Sequence, residues 1–571
     1  MASATKRKIP YIRLNRGNLV QLGYGASQSR IWTAETDRTS AIAEGIASDK
    51  NLTKLLLRGC GLPVPEGEVA ASPEQAWAAA QALRLPVVVK PSDGNRGRGV
   101  MLNLCTRADI EAAWSLADAE GSGVLVERYI SGDEHRVLVV GGQVVAAVRG
   151  ESAWVEADGQ SNCQQLVDTQ LNTDPRRGVT DLHPLETIQL KKDSVFMANL
   201  QRQGLTPEAV PEAGRRVLIA SNGNHAIECT DALHPTIVQA CILAARVVGL
   251  NIAGIDLVCD DISAPLATQG GAIVEVNAGP SLLMHLTPAQ GLPRPVGDAI
   301  VAHLFPDTEA GRIPIVGVTG TQETTHIARL VAWLMQLSGL EVGVACRDGL
   351  FVGLRHVERS DAANFDAGQR LLINRNVEAA VFEHGPLALA TEGTAYDRCD
   401  VGIVTDADGE TALSDHDATG PAQRFKVLRT QVDLVLAHGA AVLHATDPLV
   451  LEMAGLCDGD VLLYAENADN PALLAHREAG KRVVTLRGSV IVQAHGSTAT
   501  DLLDIERDVR APAKSLPVPV LLAAVAAAWA MAIPNETVVT GLETFEPALP
   551  QPGRALVHPD PAIAQPPSVP A

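Results

Sequence analysis

VVVKPSDGNRGRGV, residues 87–100, carries a β-branched run into a glycine-rich loop, and the fold is read outward from it. Residues 87–91 make a short strand stopped by proline. Ser92 and Asp93 follow, then Gly94, Gly97 and Gly99 with Asn95, Arg96 and Arg98 between them. Glycines let a backbone come close to phosphate oxygens and aim N–H groups at them. Lys90, at the strand end, can set a point charge against phosphate. Lys50, upstream in SDKNLTK, would be a second cation on that side. The loop also suits an exposed glycine hairpin with solvated arginines, so it decides nothing alone.

Its counterpart lies in two later strands. NIAGIDLV, 251–258, sets Asp256 among apolar residues, and AIVEVNAGP, 272–280, holds Glu275 and Asn277 two apart, hence on one face of a strand. Acidic groups inside apolar strands must be paired, protonated or metal-bound, because an unpaired buried charge is costly. Asp256, Glu275 and Asn277 form a hard-oxygen set of the kind Mg²⁺ takes beside nucleotide phosphates, with no histidine to favour Zn²⁺. A structural pair with a buried arginine is the other reading. Between loop and strands, VLVERYISGDEHRV, 124–137, offers a strand end whose backbone at Arg128 and Tyr129 would read adenine. Glu127 suits the ribose or adenine edge, or a solvated position beside Arg128. Arg136 is a candidate for steadying an acyl phosphate, or a buried structural arginine.

Strand and helix signals alternate along the chain, which predicts multi-domain α/β architecture. RVLVVGGQVVAAV, 136–148, reads as a hairpin turning at Gly141 and Gly142. Residues 235–249 read as a helix opened by proline and closed by glycine. The turn-rich segment 305–314 predicts a linker, giving domains 1–312 and 313–550 with a proline-rich tail, 551–571. At 571 residues the chain exceeds one core. A net charge of −20 without a basic run argues against nucleic acid as a partner. The most apolar stretch, 518–533, carries proline and falls short of a membrane span. Nine scattered cysteines without CxxC suggest neither zinc ribbon nor disulfide framework, and no signal-peptide core opens the chain, so a reduced cytoplasmic protein is expected.

Taken in order, IPYIRLNRGNLVQLGYG, SDKNLTK, KPSDGNRGRGV, VERYISGDEHRVLVV, DPRRG, NIAGIDLV, IVEVNAGP and RIPIVGVTGT with TT following resemble the cyanophycin synthetase family along nearly the whole chain. The resemblance implies an ATP-grasp domain followed by a Mur-ligase-like, P-loop-type α/β domain. It implies ATP and Mg²⁺ as cofactors, and ATP positions at Lys50, Lys90, the loop 93–99 and Glu127, with Asp256, Glu275 and Asn277 on the metal. It also implies amino-acid or peptide substrates, joined through an acyl phosphate, and a homo-oligomer, most simply a dimer.

The departures from the family are equally specific. Its GTNGKTT phosphate loop is GTQETTH here, running from Gly320, with Glu323 for the second glycine and Thr324 for the lysine. A carboxylate there repels phosphate and the neutralising lysine is gone, so no second ATPase is expected. ECARGG is reduced to EHGPLA after Glu383, and LNVAADHLG has no clear counterpart; Lys426 and Asp447 keep family-like surroundings. The family's extra N-terminal domain and the last lobe of its Mur-like module look absent, as in its single-active-site type, which polymerises β-Asp-Arg. On the acceptor side, NLSTGG gives way to a stretch offering Asn224 and His225, and ERVPAH to RGESAW, which ends at Trp154. Three readings follow: a polymerising cyanophycin-type ligase, a related ligase making a short amide, or a non-catalytic partner subunit of a synthetase.

Overall fold

The computed structural model describes residues 1–548, apart from 94–98, 122, 180–182, 184, 193, 308–309, 409–412, 414–419 and 508–514; for 194 and 221–225 it describes the backbone alone. The proline-rich tail and most of the glycine loop lie outside the described residues. The chain divides into two compact units, Met1–Gly23 with Ser29–Gly311, and Tyr24–Gln28 with Arg312–Ala571.

The first unit is built on two antiparallel sheets that carry the candidate site. One runs in the order Gly67–Ala70, Val124–Arg128, Val87–Pro91, Met101–Leu104. Period-two alternation sorts its side chains. Val87, Val89, Val124 and Val126 pack on the helices Pro73–Leu83 and Arg107–Asp118 through Ala76, Ala80, Ile110 and Ala113. Lys90 and Glu127 therefore belong to the opposite face.

The other sheet runs Arg216–Glu228, Gln143–Glu156, Asp133–Val140, Ile252–Cys259, Ala272–Asn277. The predicted hairpin is present, and Gly141 and Gly142 supply its turn at φ +57° and +78°. Val137, Val139, Ile255, Leu257 and Val276 bury against Ile237, Ala244 and Val248 of the helix Pro235–Val248. That helix ends at Gly249 in the left-handed region, φ +89°, as its sequence requires. Alternation turns Glu134, Arg136, Asp256, Glu275 and Asn277 to the other face. The helix Lys50–Gly59 is capped by Asp49, whose carboxylate accepts from the amides of Asn51 and Leu52. It buries Lys50, Thr53, Lys54 and Leu57, one stripe at helical spacing.

The second unit is one eleven-stranded sheet. Its parallel centre includes Val342–Cys346, Ala379–His384, Ile315–Thr319, Cys399–Val404 and Val435–His444 in that order. The first strand of the unit thus sits in the middle, and the loop after it opens at a topological switch point, as in P-loop-type α/β folds. The helices Thr324–Leu337 and Val518–Ala530 bury their apolar faces on this sheet. Residues 518–530 are therefore core, and among the described residues no helix is long and apolar enough to cross a membrane. One detail departs from a simple cut after residue 312. Tyr24–Gln28 packs with the second unit, where the Ala26 amide donates to the Val377 carbonyl at 2.8 Å and the Tyr24 hydroxyl to Asp397 at 3.2 Å.

Candidate functional site

Several buried ionisable residues of the first unit lie on these polar sheet faces. Lys90 ends its strand with Nζ 2.8 Å from Glu127 Oε2, and Lys54 Nζ bonds the other oxygen, Oε1. All three side chains are under 10% exposed, so each charge depends on the others. Burial pulls Lys90 down, but Glu127 outweighs it and the net shift is upward. Burial likewise pushes Glu127 up, and Lys90 and Lys54 reverse it, holding the carboxylate below its usual range. Lys54 is the weaker cation. Burial first, then Lys90, draws it down to about 7.

Lys50 links this cluster to the other sheet, with Nζ 3.2 Å from Glu275 Oε1. Glu275 lies in register with Asp256 across the neighbouring strand, and Asp256 with Arg136. Arg136 takes both oxygens of Asp256, Nε on Oδ1 and Nη2 on Oδ2, the latter at 2.7 Å. Asn277 Nδ2 donates to Asp256 Oδ2 at 3.1 Å. The buried-arginine alternative for Asp256 is thus present in the structure. It does not consume the group, since Oδ1 keeps a further lone pair while Oδ2 accepts from both Arg136 and Asn277. Burial lifts Asp256 above the usual carboxylate range despite Arg136. Glu134, on the same face as Arg136, is pushed up to about 7 by burial first and then by Asp256. On this face three carboxyl groups, Glu134, Asp256 and Glu275, meet two cations, Arg136 and Lys50, a surplus of acidic groups. A divalent cation with hard oxygen ligands fits that surplus. Among the described residues no group of three or more His, Cys, Asp or Glu is placed to hold a metal by itself.

Other expected residues fall less neatly. Ser92 is half-buried, its amide on the Gly123 carbonyl at 2.9 Å, and Asp93 is exposed. Gly94, Asn95, Gly97 and Arg98 lie outside the described residues. Gly99 has φ +68°, and a Cβ there would meet Pro91 and Ala117 at 3.2 and 3.3 Å. On the hinge strand the two backbone amides and Glu127 already have partners. The amides of Arg128 and Tyr129 are spent on the carbonyls of Glu66 and Pro86, at 2.9 and 3.1 Å, so neither N–H is open to adenine. Glu127 is turned inward to two lysines instead of standing at a ribose edge.

On the acceptor side, Trp154 is 40% exposed with the Arg216 guanidinium 4.9 Å over its ring. It faces away from Ala153 and Val155, which are core. The stretch carrying Asn224 and His225 is strand, not an open loop. His225 pairs with Glu151 and Ala220 with Ala153, so 221–224 bulge opposite Ser152.

Sequence reading missed Lys54 and Glu134. Both were accessible by period. Lys54 stands one turn after Lys50 in SDKNLTK, and Glu134 two residues before Arg136.

In the second unit the loop after Ile315–Thr319 has partners within its own chain. Glu323 is exposed, at φ +56°, and pairs with His326 at 2.6 Å. The loop amides that would cradle phosphate serve Asp406 instead. Thr321 and Gln322 donate their N–H groups to its carboxylate at 3.0 Å each, and the Thr321 hydroxyl adds a bond at 2.8 Å. Gly320, φ +134°, lets the chain pass, since a Cβ there would lie 2.0 Å from Thr405 Oγ1. Where Thr324 replaces lysine, Arg347 supplies the cation, bonding Glu383 at 2.6 Å and the Thr324 hydroxyl at 2.6 Å.

Comparison with known proteins gives this arrangement its class. A RimK-like ATP-grasp domain matches residues 47–204, which contain Lys50, Lys54, Lys90, Glu127 and Arg136. The first unit therefore carries an ATP-grasp domain. The cyanophycin synthetase of Geminocystis herdmanii is 36% identical over 96% of this chain and 64% of its own length. That of Synechocystis sp. is 37% identical over 83% of this chain and 55% of its own. The chain is a homologue of the cyanophycin synthetases over most of its length, and spans just under two thirds of the first of these relatives. The glutathione biosynthesis bifunctional protein of Clostridium perfringens is 31% identical over 53% of this chain and 40% of its own. A crystal structure of a bifunctional glutathione synthetase from Pasteurella multocida matches at 28% identity and a TM-score of 0.36, covering 53% of this chain and 43% of that one.

Proposed function

We propose that the chain is an ATP-dependent, ADP-forming carboxylate–amine ligase that works through an acyl phosphate and extends Asp/Arg-type peptides such as β-Asp-Arg. The observation that carries this reading is Lys50, which bonds Glu275 with its side chain while lying one helical turn from Lys54 and donating its amide to the Ser92 carbonyl just past Lys90. Cations for a polyphosphate and hard oxygens for a divalent ion thus meet across one gap, in a domain of the ATP-grasp class.

In this reading Lys50, Lys90 and the loop 93–99 neutralise phosphate charge as the γ-phosphoryl moves to a carboxylate. Arg136, held in orientation and kept protonated by Asp256, steadies the acyl phosphate until an amine displaces phosphate from it. Asp256, Glu275 and Asn277 would hold Mg²⁺, which would supply charge neutralisation to the polyphosphate. No covalent enzyme intermediate is needed; the contribution of the protein is positioning and electrostatics.

Homology to cyanophycin synthetases supports an Asp/Arg-type substrate. The 221–224 bulge favours a second reading, a ligase of the same descent making a short amide, because the acceptor side is where this chain departs from the family. The test is ADP release from the full chain with ATP, Mg²⁺ and either β-Asp-Arg or separate Asp and Arg, with products sized on a gel. Long product with β-Asp-Arg supports extension, and a dipeptide supports the second reading. No release and no ATP binding would leave a non-catalytic subunit.

A further inference from the structure

We propose that Lys54 is a positioning residue for ATP binding: it occupies one oxygen of Glu127, and so leaves Lys90 only partly neutralised and directed at the phosphates. The proposal rests on the ligase reading above and adds a residue to it. Lys54 lies one helical turn beyond Lys50 on the buried face of the helix Lys50–Gly59. Lys50 has Glu275 as a partner, whereas Lys54 and Lys90 divide a single carboxylate, Lys54 on Oε1 and Lys90 on Oε2.

In the protonated form of Lys54, which burial weakens, two ammonium groups bonded to one carboxylate leave a surplus positive charge, with Glu275 acting on Lys90 from farther off. The side chains are 7%, 9% and 3% exposed, so water offsets little of it. A surplus of that kind is unfavourable until an anion arrives, and the polyphosphate is the anion the reading supplies. Were Lys54 absent, both oxygens of Glu127 would be available to Lys90. The pair would then be neutral and internally satisfied, with less to offer phosphate. Lys54 thus acts through Glu127 and Lys90, without touching the nucleotide.

The experiment is calorimetric titration of Mg-ATP into the full chain, which requires no knowledge of the acceptor. Lys54→Met, Lys54→Gln, Lys54→Arg, Lys90→Met and the Lys54→Met/Lys90→Met double variant are compared, with thermal unfolding to confirm folding. Lys54→Met is expected to raise Kd about tenfold, a loss of roughly 1.4 kcal/mol. Lys54→Gln keeps a hydrogen-bond donor without charge and shows the same loss if Lys54→Met does not fold. Lys54→Arg restores most of the affinity. The double variant binds no more weakly than Lys90→Met alone, because the two residues act as one unit. Lys54→Met or Lys54→Gln within twofold of wild type, or losses that multiply in the double variant, overturns the proposal. If Lys90→Met binds ATP as wild type does, the ligase reading itself fails, and the two failures are thereby told apart.

Discussion

The carboxylate of Asp406 accepts the backbone N–H of Thr321 at 3.0 Å, so the phosphate-loop remnant of the second unit is closed by an anion of its own chain. Helix N-termini and glycine loops bind anions because several N–H groups converge there unsatisfied. Here Gln322 N–H and the Thr321 hydroxyl complete the same coordination, and Arg347 stands in for the missing lysine by reaching Glu383. The loop amides and Glu383 are thus both partnered within the chain.

Asp406→Ala leaves those amides without their acceptor. A buried donor left unpaired costs about 1–3 kcal/mol, and these part-buried amides should lose less because water reaches them. Hydrogen exchange across 320–337 should accelerate, and the second unit should unfold at lower urea, while ADP release by the first unit is unchanged. Unaltered protection of 320–337 would show that Asp406 is not what holds the loop.

Asp256 fixes Arg136 through both oxygens and also receives Asn277. Asp256→Ala removes a proposed metal ligand and strands the guanidinium at once. Turnover should fall by at least 100-fold, equivalent to about 2.7 kcal/mol of barrier. Asp256→Asn keeps the shape and one acceptor, so it should retain structure yet demand more Mg²⁺ for half-maximal rate. Full-speed ligation by Asp256→Ala would remove the metal assignment.

His285 is fully buried, and among the described residues neither ring nitrogen has a hydrogen-bond partner. Burial lowers it to about 4, with Arg136 adding to the effect. The unfolded chain, at about 6.5, therefore binds more protons than the folded one between pH 4 and 6.5. Its contribution is present above pH 6.5 and is lost as the pH falls through that window. Hydrogen exchange of first-unit peptides should show stability dropping between pH 6.5 and 4.5, and His285→Leu should flatten part of that drop. An equal slope in the variant would assign the loss to other groups.

The elements were legible where period and punctuation agreed. VVVKP, the Gly141–Gly142 hairpin and the proline-to-glycine helix 235–249 each carry their own start and stop signals, and each forms. Asp256, Glu275 and Asn277 were legible because polar residues inside apolar strands stand out, and register brings the first two opposite each other. Less visible was how charges would be shared. Glu127 looks like a surface residue beside Arg128, and only the helix Lys50–Gly59 laid over its strand makes it a buried partner of two lysines. Asp406 was hidden for a similar reason. It meets the loop at Thr321 from the end of a neighbouring parallel strand, 85 positions along the chain, and no local pattern announces that meeting.

Gly249 and Gly254 allow stability and chemistry to be separated by the same substitution. Gly249 has φ +89°, and a Cβ added there meets nothing nearer than Ala43 Cβ at 3.6 Å. Gly249→Ala thus meets conformational strain without a clash, costing about 1–2 kcal/mol at a helix end remote from the charged face. Gly254 has no positive φ, but its added Cβ would lie 2.8 Å from Pro280 and 3.2 Å from Arg136 Cδ. Gly254→Ala must therefore displace Arg136 or the turn after Asn277, and displacement of a positioned group by ~1 Å can cost 100-fold in rate. Thermal unfolding and ADP release, measured on both variants, should cross over: Gly249→Ala less stable but active, Gly254→Ala poorly active even where it stays folded. Equal activity in the two would mean that the position of Arg136 does not limit the reaction.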